Sequence, residues 1–353
     1  MKQILFSIIV LLIFSSCDDK LDVNDTYRTY PVVYSLLDRN AGVQYVKLNK
    51  TFLGDASVSD MASVSDSLYF SQADVYISKY QENALIQTWK LEAVDTIAKD
   101  EGFFANDKNI IYVLNDSIFH YKDKTEGYTF KLKVDIPGFD EIKSETVAID
   151  NVRINSPLAG IVADVTLYAF GGYMNPVYSF TAKNNSRFFE IYLEIYYYEN
   201  VNGEYILRTI RKKQESKKAN VTNSEQNTLY FTLNAANFYG LIANSVPKND
   251  NQKIFYGFRY LIYAAGSELS MYIDLTSEDY GIAQEKPSYT NIENGWGLFS
   301  SRSSKYSPYK KLNNGSLEYL QNYEGTKDLH FLNSNNTITF YGVNEQYDFA
   351  GIY

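Results

Sequence analysis

Few side chains in this sequence can do chemistry. Cys17 is its only thiol, and His120 and His330 are its only imidazoles. A lone cysteine can act as a nucleophile or accept an acyl group, but it cannot close a disulfide within one chain. The histidines sit in the apolar runs Ile118-Phe119-His120-Tyr121 and Leu329-His330-Phe331-Leu332, and both read as strand histidines satisfied in place rather than as bases or ligands. A zinc site would have to recruit both from opposite halves of the chain. The nucleophile elbow, the phosphate-binding and dinucleotide-binding glycine loops, the zinc-protease helix and the EF-hand loop are all absent. Lys248-Asn249-Asp250-Asn251-Gln252 is rich in oxygen but lacks the glycine and closing glutamate of a calcium loop. The expectation is therefore no catalytic residues, no metal and no cofactor.

Two constellations escape that exclusion. Glycoside hydrolysis needs only two carboxylates, which the fold can bring together from anywhere. Asp100-Glu101, Asp140-Glu141 and Glu278-Asp279 qualify in that sense, and all read as loop or helix-cap groups. The second is aromatic. Tyr192, Tyr196 and Tyr198 alternate with Glu190 and Glu194 along one strand face, and with Trp296 they form a candidate platform for a carbohydrate or peptide ligand. The plainer reading of the ladder is the wet face of an ordinary strand. For Trp296, a glycine on each side and a positive-φ turn at Asn294-Gly295 point to a hairpin that seats the indole in the core, with presentation at a cleft as the alternative.

The elements that must position these groups are strands. Tyr128, Phe130, Leu132, Val134 and Ile136 alternate with polar residues up to the Pro137-Gly138 turn, and a further strand follows near Glu145 to Ile149. Val46 and Leu48, then Val75 and Ile77, repeat the pattern on either side of a Ser/Asp-rich loop from Gly54 to Ser67. In the second half, Phe189, Ile191, Leu193, Ile195 and Tyr197 form one core face, and Ile254, Tyr256, Phe258, Tyr260 and Ile262 form another. Arg211 to Lys218 reads as an exposed hairpin tip between them, and brief helical signals fall at Asn234 to Ala243 and after Thr276. The fold class expected is all-β. It divides into an immunoglobulin-like β-sandwich at residues 26–150 and a second β-sandwich within a β-rich domain at 151–353. The 33 Tyr and 21 Phe suit sheets with one solvated face, and a net charge of -9 makes nucleic acid an improbable partner.

Residues 1–16 combine a basic start, an apolar run from Ile4 to Phe14 and small residues before Cys17. This resembles a bacterial lipoprotein signal peptide, which implies cleavage before Cys17 and acylation of its thiol. Residues 17–25 then form a short acidic tether. Three further stretches carry a second resemblance: Asn291-Ile292-Glu293-Asn294-Gly295-Trp296-Gly297-Leu298-Phe299, the early strand Tyr30 to Leu37, and Gly127 to Gly138. Together they resemble a family of Bacteroidota lipoproteins of unknown function with an Asn-Ile-x-x-Gly-x-Gly-x-Phe motif near the C-terminus. The resemblance implies a non-enzymatic protein anchored to the outer membrane through Cys17 and exposed at the cell surface. A periplasm-facing anchor is the alternative. It also implies a binding or accessory role in nutrient uptake beside a TonB-dependent transporter, with a glycan hydrolase or a purely structural envelope protein as rivals. Asp66-Ser67-Leu68, Asp95-Thr96-Ile97 and Asp116-Ser117-Ile118 resemble that phylum's O-glycosylation triplet, which makes Ser67, Thr96 and Ser117 acceptor candidates.

Acyl chains contribute about 0.8 kcal/mol per buried methylene, so the anchor should hold without a membrane-spanning helix. Replacing Cys17 by Ala is expected to move the protein from the membrane pellet to the soluble fraction. Retention of that variant in the pellet after a high-salt wash is the result that contradicts the assignment.

Overall fold

The computed structural model describes residues 29–51, 58–98, 102, 104, 105, 107–119, 127–157, 164–219, 226–277 and 288–332. Cys17 with its signal and tether, His120, Asp100-Glu101 and Glu278-Asp279 lie outside the described residues. The fold is all-β. The first half supplies β1 (Pro31–Asp38), β2 (Gln44–Lys50), the short helical turns α1 (Val58–Ala62) and α2 (Ser65–Leu68), β3 (Asp74–Gln81) and β4 (Ala84–Lys90). It continues with β5 (Glu92–Val94), β6 (Ile111–Leu114), β7 (Tyr128–Asp135) and β8 (Ile142–Val147). The second half begins with β9 (Arg153–Ser156), β10 (Tyr168–Ala169), β11 (Gly172–Tyr173), β12 (Val177–Lys183), β13 (Phe188–Val201), β14 (Glu204–Lys218) and β15 (Gln226–Thr232). Then come α3 (Ala235–Ser245), β16 (Lys253–Ala265), α4 (Ser267–Ser277), β17 (Trp296–Tyr306) and α5 (Asn314–Asn322).

One eight-stranded sheet, ordered β14-β13-β16-β17-β1-β2-β6-β5, runs through both halves of the chain. Its two parts join where β17 lies parallel to β1, with Val33 opposite Gly297 and Ser35 opposite Phe299. One face of this sheet is covered along its length. At the β1/β2 end it meets the four-stranded sheet β4-β3-β7-β8, and Val33, Leu37, Val46, Leu48, Val75, Ile77, Phe130, Leu132, Val134 and Phe299 fill the space between them. At the β13/β16 end it meets the three-stranded sheet β15-β12-β9 with α3 and α5, around Phe180, Phe189, Ile191, Leu193, Phe238, Tyr239, Phe258 and Tyr260. The sequence division at residue 150 falls between β8 and β9, yet β17 from the second half completes the sheet and core of the first.

The alternation in β7 is realised as read, with Phe130, Leu132 and Val134 fully inside. Four readings need correction. The Arg211 to Lys218 stretch is not a hairpin tip; it belongs to β14, and the turn is Asn202-Gly203, both residues at positive φ. β14 is the edge strand, so its lysines and arginines shield an open ladder rather than crown a loop. The face of β16 changes register at a bulge opposite Tyr196/Tyr197, so Phe255 rather than Ile254 or Tyr256 packs toward the core. The Gly54 to Ser67 stretch contains the turns α1 and α2 among its described residues. Thr276 and Ser277 do not open a helix; they belong to α4, which begins at Ser267. The tyrosines are also less wet than a half-solvated sheet requires. Tyr239 is buried with its hydroxyl donating to the Ser316 carbonyl at 3.0 Å, and burial pushes the Tyr260 hydroxyl well above its usual value.

The β1–β17 junction makes a strict demand at Gly297. Its φ is +122°, and a Cβ there would lie 1.9 Å from the Val33 carbonyl oxygen, a backbone atom that cannot turn aside. Gly297→Ala should therefore be among the costlier single changes in the chain, destabilising it by about 3 kcal/mol or more because strain and lost sheet pairing combine. Urea unfolding checks this, and an unchanged midpoint would contradict the close approach.

Candidate functional site

The Asn291 to Phe299 motif helps to build an exposed aromatic site from three distant stretches of chain. The Asn291 side chain behaves as a short strand, donating from Nδ2 to the Phe299 carbonyl at 2.7 Å and accepting the Phe299 amide on Oδ1 at 2.9 Å. Glu293 pairs with Lys143 of β8, and Ser144 Oγ donates to the Asn291 carbonyl at 2.7 Å. Asn294 adopts a left-handed conformation, φ 58°, and its Nδ2 donates to the Glu141 carbonyl at 2.9 Å. Gly295 passes close to Pro31, where a Cβ would sit 3.0 Å from the carbonyl oxygen. The motif is thus not a hairpin packed on the second sandwich. It is a clasp that fixes β17 to β1 and β8.

Within this clasp Ile292 and Phe299 enter the core, whereas Trp296 does not. Trp296 is 45% exposed, which overturns the expectation of burial. Alternation along β17 explains the outcome. Gly297 and Phe299 point to the covered face, and Trp296 and Leu298 to the opposite one; helix α4 packs on β17 further along, where Leu298 is buried, and Trp296 begins the strand. With Thr29, Tyr30, Pro31, Phe139, Asp140, Thr290, Asn294 and Gly295 it lines an open cleft of about 630 Å³. Phe139 is held at the rim by the Pro137-Gly138 turn and by an edge-to-face contact with Phe70, ring centres 5.3 Å apart. Tyr30 is fixed through its backbone, which exchanges hydrogen bonds with Thr51. Tyr30, Phe139 and Trp296 therefore converge on one concavity with a single carboxylate, that of Asp140, among its lining side chains.

Phe139 also borders a second open cleft of about 620 Å³, lined by Asp74, Asp135 and Glu141. Each carboxylate is matched to lysine: Asp74 to Lys90 at 2.8 Å, Asp135 to Lys133 at 3.1 Å, and Glu141 to Lys133 and Lys143 at 2.7 Å each. Hydrogen bonds from Lys133 and Lys143 push the Glu141 carboxyl down to about 2, and the bond from Lys90 lowers that of Asp74. Such groups stay ionised at neutral pH. They are the opposite of the raised general acid that a glycosidase requires.

The other aromatic candidates are elsewhere. Tyr192, Tyr196 and Tyr198 lie on the face of the large sheet turned away from the smaller sheets, on β13, separated from β17 by β16, and they do not join Trp296. Tyr196 is buried, its hydroxyl donating to Glu194, so it is not a contact surface. Glu194, 1% exposed, also receives Arg211 and, at 3.0 Å, Arg259. The Arg259 guanidinium in turn lies 3.6 Å from the centre of the Tyr306 ring. Tyr192 and Tyr198 are half-buried, in edge-to-face pairs with Tyr263 and Tyr256. The ladder is thus largely a packed ion-aromatic layer, with Tyr196 and Glu194 inside it and Tyr192 and Tyr198 partly exposed.

His330 is not in a strand; it ends the turn Lys327–Leu329 at φ 59° and lies 3.8 Å from Asp250. The oxygen-rich loop before β16 serves an internal cation: Asn249 Oδ1 and the Asn251 carbonyl accept from the buried Lys253 ammonium at 2.7 and 3.0 Å. Among the described residues no group of three or more His, Cys, Asp and Glu could hold a metal ion, and no helix is long and apolar enough to cross a membrane. Thr96 and Ser117 are exposed in loops, and Ser67 is half-buried on α2.

No family model matches this chain, and no curated protein does. Among solved structures, the C-terminal globular domain of an oligosaccharyltransferase from Pyrococcus abyssi aligns at 9% identity and a TM-score of 0.21, over 81% of this chain and 49% of that one. A Bacteroides uniformis β-glucuronidase, covalently bound to a cyclophellitol-6-carboxylate aziridine, aligns at 8% identity and a TM-score of 0.14, over 84% of this chain and 30% of that one. The chain thus spans less than half the length of either, and neither likeness carries an argument.

The two aromatic residues of the clasp should respond oppositely to truncation. Phe299→Ala removes a fully buried ring and is expected to cost about 3 to 5 kcal/mol, while Trp296→Ala should cost under about 1 kcal/mol. Urea midpoints of the two variants measure this directly, and a large loss at Trp296 would return the indole to the core.

Proposed function

We propose that this chain is a non-enzymatic outer-membrane lipoprotein, anchored by acyl groups on Cys17 and facing the cell surface. In this reading it serves nutrient uptake as a binding component beside a TonB-dependent transporter. The ligand-contacting surface is the cleft of Tyr30, Phe139 and Trp296, and its ligand is a saccharide. The observation that carries the reading is the exposure of Trp296 in a concavity that two more aromatic residues share. Rings held by backbone clasps offer flat apolar faces at low entropic cost, and the C–H faces of a sugar stack on them while its hydroxyls reach Asp140, Thr290 and Asn294. The hydrolase reading draws less support, because the cleft's described lining supplies one carboxylate where the reaction needs two. Exposed Thr96 and Ser117 are compatible with glycan attachment at the cell surface.

Titration of the protein with a panel of neutral oligosaccharides, followed by tryptophan fluorescence and calorimetry, tests the proposal. At least one sugar should bind and shift the emission, and Trp296→Ala should weaken it at least tenfold with Trp89 left in place as the reference indole. Binding that survives Trp296→Ala, or release of shortened sugars, would overturn the assignment.

A further inference from the structure

A second cavity, distinct from the Trp296 cleft, lies between helix α4 and the opposite face of the large sheet, the one turned away from the two smaller sheets. Its volume is about 330 Å³, and its lining includes Leu36, Glu190, Tyr192, Arg211, Tyr263, Ala265, Leu269, Ile273 and Arg302. The sequence creates it by a change in side-chain size. On β16 the bulky Tyr263 gives way to Ala265, which stands opposite Arg302 of β17 and Phe188 of β13 in register, so the sheet face drops away there. Gly266 then turns the chain back, and α4 crosses this hollow. Leu269 and Ile273, four residues apart and so on one helix face, form its roof. The start of the helix is pinned, with the Leu269 amide donating to Ser300 Oγ at 3.1 Å and Glu268 accepting from Thr146 Oγ1 at 2.8 Å. The cavity is thus bounded by rigid elements rather than by loops.

Two arginines line it from opposite sides. Arg211, on the edge strand β14, is held by Glu194 Oε1 through Nε at 2.7 Å and through Nη2 as well, and Arg302 is held through Nε by Asp38 Oδ2 at 2.9 Å. Neither Glu194 nor Asp38 lines the cavity; each fixes its arginine from outside it. The side chains of Arg211 and Arg302 are nevertheless 49% and 44% exposed, and further N–H donors of both remain for a ligand. Glu194 is also shared with Arg259 and Tyr196, so the Arg211 charge is only partly compensated there. The one carboxylate in the lining, Glu190, is matched by Lys213 and by the Tyr192 hydroxyl at 3.1 Å.

We propose that this cavity binds a small amphipathic monocarboxylate, its head between Arg211 and Arg302 and its aliphatic or aromatic body against Leu36, Leu269 and Ile273. Arg302, clamped at Nε, presents a planar fork that suits a carboxylate, and Arg211, clamped at Nε and Nη2, adds its remaining N–H donors. The volume equals that of about eleven waters in the bulk liquid, which matches a head and a body of roughly ten non-hydrogen atoms. The roof of Leu269 and Ile273 rewards an apolar body and leaves a small hydrophilic anion such as acetate with little to gain.

The test is calorimetric titration of the Cys17→Ala chain, which keeps every residue of the fold, with octanoate, octanol and acetate. Octanoate should bind at least tenfold more tightly than octanol, which has the same body without the charge, and than acetate, which has the same head without the body. Arg302→Gln should weaken octanoate at least tenfold and leave octanol unchanged, and Ala265→Phe should abolish octanoate binding by filling the hollow. Equal affinity for octanoate and octanol, or unaltered octanoate binding in folded Arg302→Gln, would overturn the proposal. Should either variant fail to fold, the three-ligand comparison on the parent chain decides alone. Trp296→Ala should leave octanoate binding unchanged, so failure here and failure of the saccharide assignment are separately visible.

Discussion

The contact on which the rest of this structure depends is one between backbones: β17 lies against β1 so closely that position 297 has no room for a side chain. Everything distinctive about the architecture follows from that approach. It brings a strand from late in the chain between β16 and the first strand of the fold, and it turns what would be two sheets into one of eight strands. The covering layers, β4-β3-β7-β8 at one end and β15-β12-β9 with α3 and α5 at the other, then share a common floor. A parallel pair of strands this distant in sequence carries a large loop-closure cost, and the side-chain bonds of Asn291, Ser144 and Asn294 around the junction supply local geometry that offsets it. The same clasp fixes the lining of the Trp296 cleft, so fold and candidate site rest on one set of contacts.

The opposite face of the sheet solves a different problem. Glu194, nearly inaccessible to solvent, would be expensive to leave alone, and the structure surrounds it with Arg211, Arg259 and the Tyr196 hydroxyl. The tyrosine rings then act as walls for the guanidinium of Arg259, which lies over Tyr306 and Tyr309. This accounts for much of the tyrosine content near β13, β16 and β17: the residues are structural partners of buried charge. At the far end of the same strands, Glu199 accepts from Asn249, Asn251 and Arg208, and those bonds hold its carboxyl down to about 2. The middle of β13, at Glu194, and its end, at Glu199, are thus each tied to neighbouring strands and loops by a partnered carboxylate.

The strands were legible wherever alternation was strict and uninterrupted, as in β7 and most of β13. Periodicity gave no warning of the bulge in β16; the local signal was Gly257, a glycine inside a strand run, which stands at the shift opposite Tyr196. Periodicity also named the two faces of β17 correctly while leaving open which part of each face would be covered. Leu298 is buried and Trp296 is not, and the difference arises from where α4 packs, a tertiary fact invisible to a local pattern. Helix α4 itself, Ser-Glu-Leu-Ser-Met-Tyr-Ile-Asp-Leu-Thr-Ser, mixes polar residues into its apolar positions and gives only a weak stripe. The start of α5, Asn313-Asn314-Gly315, carries residues common in turns, and the Asn313 side chain caps the helix by accepting the Ser316 amide at 3.0 Å.

The aromatic cleft was illegible for a more general reason. Its rings come from residues 30, 139 and 296, which belong to three connections with no common motif, and only the parallel register of β1 and β17 with the Lys143–Glu293 bridge places them together. Local signals existed at each position, a tyrosine before the first strand, a Pro-Gly turn followed by Phe139, and the glycine pair flanking Trp296. Each admitted a purely structural explanation. For two of the three rings that explanation holds for the backbone alone, since Phe139 closes a turn and Trp296 begins a strand, while the side chains are left half in solvent. A stability argument accounts for the glycines, the asparagines and Phe299 without remainder. It leaves the exposed indole, which the proposed saccharide would cover.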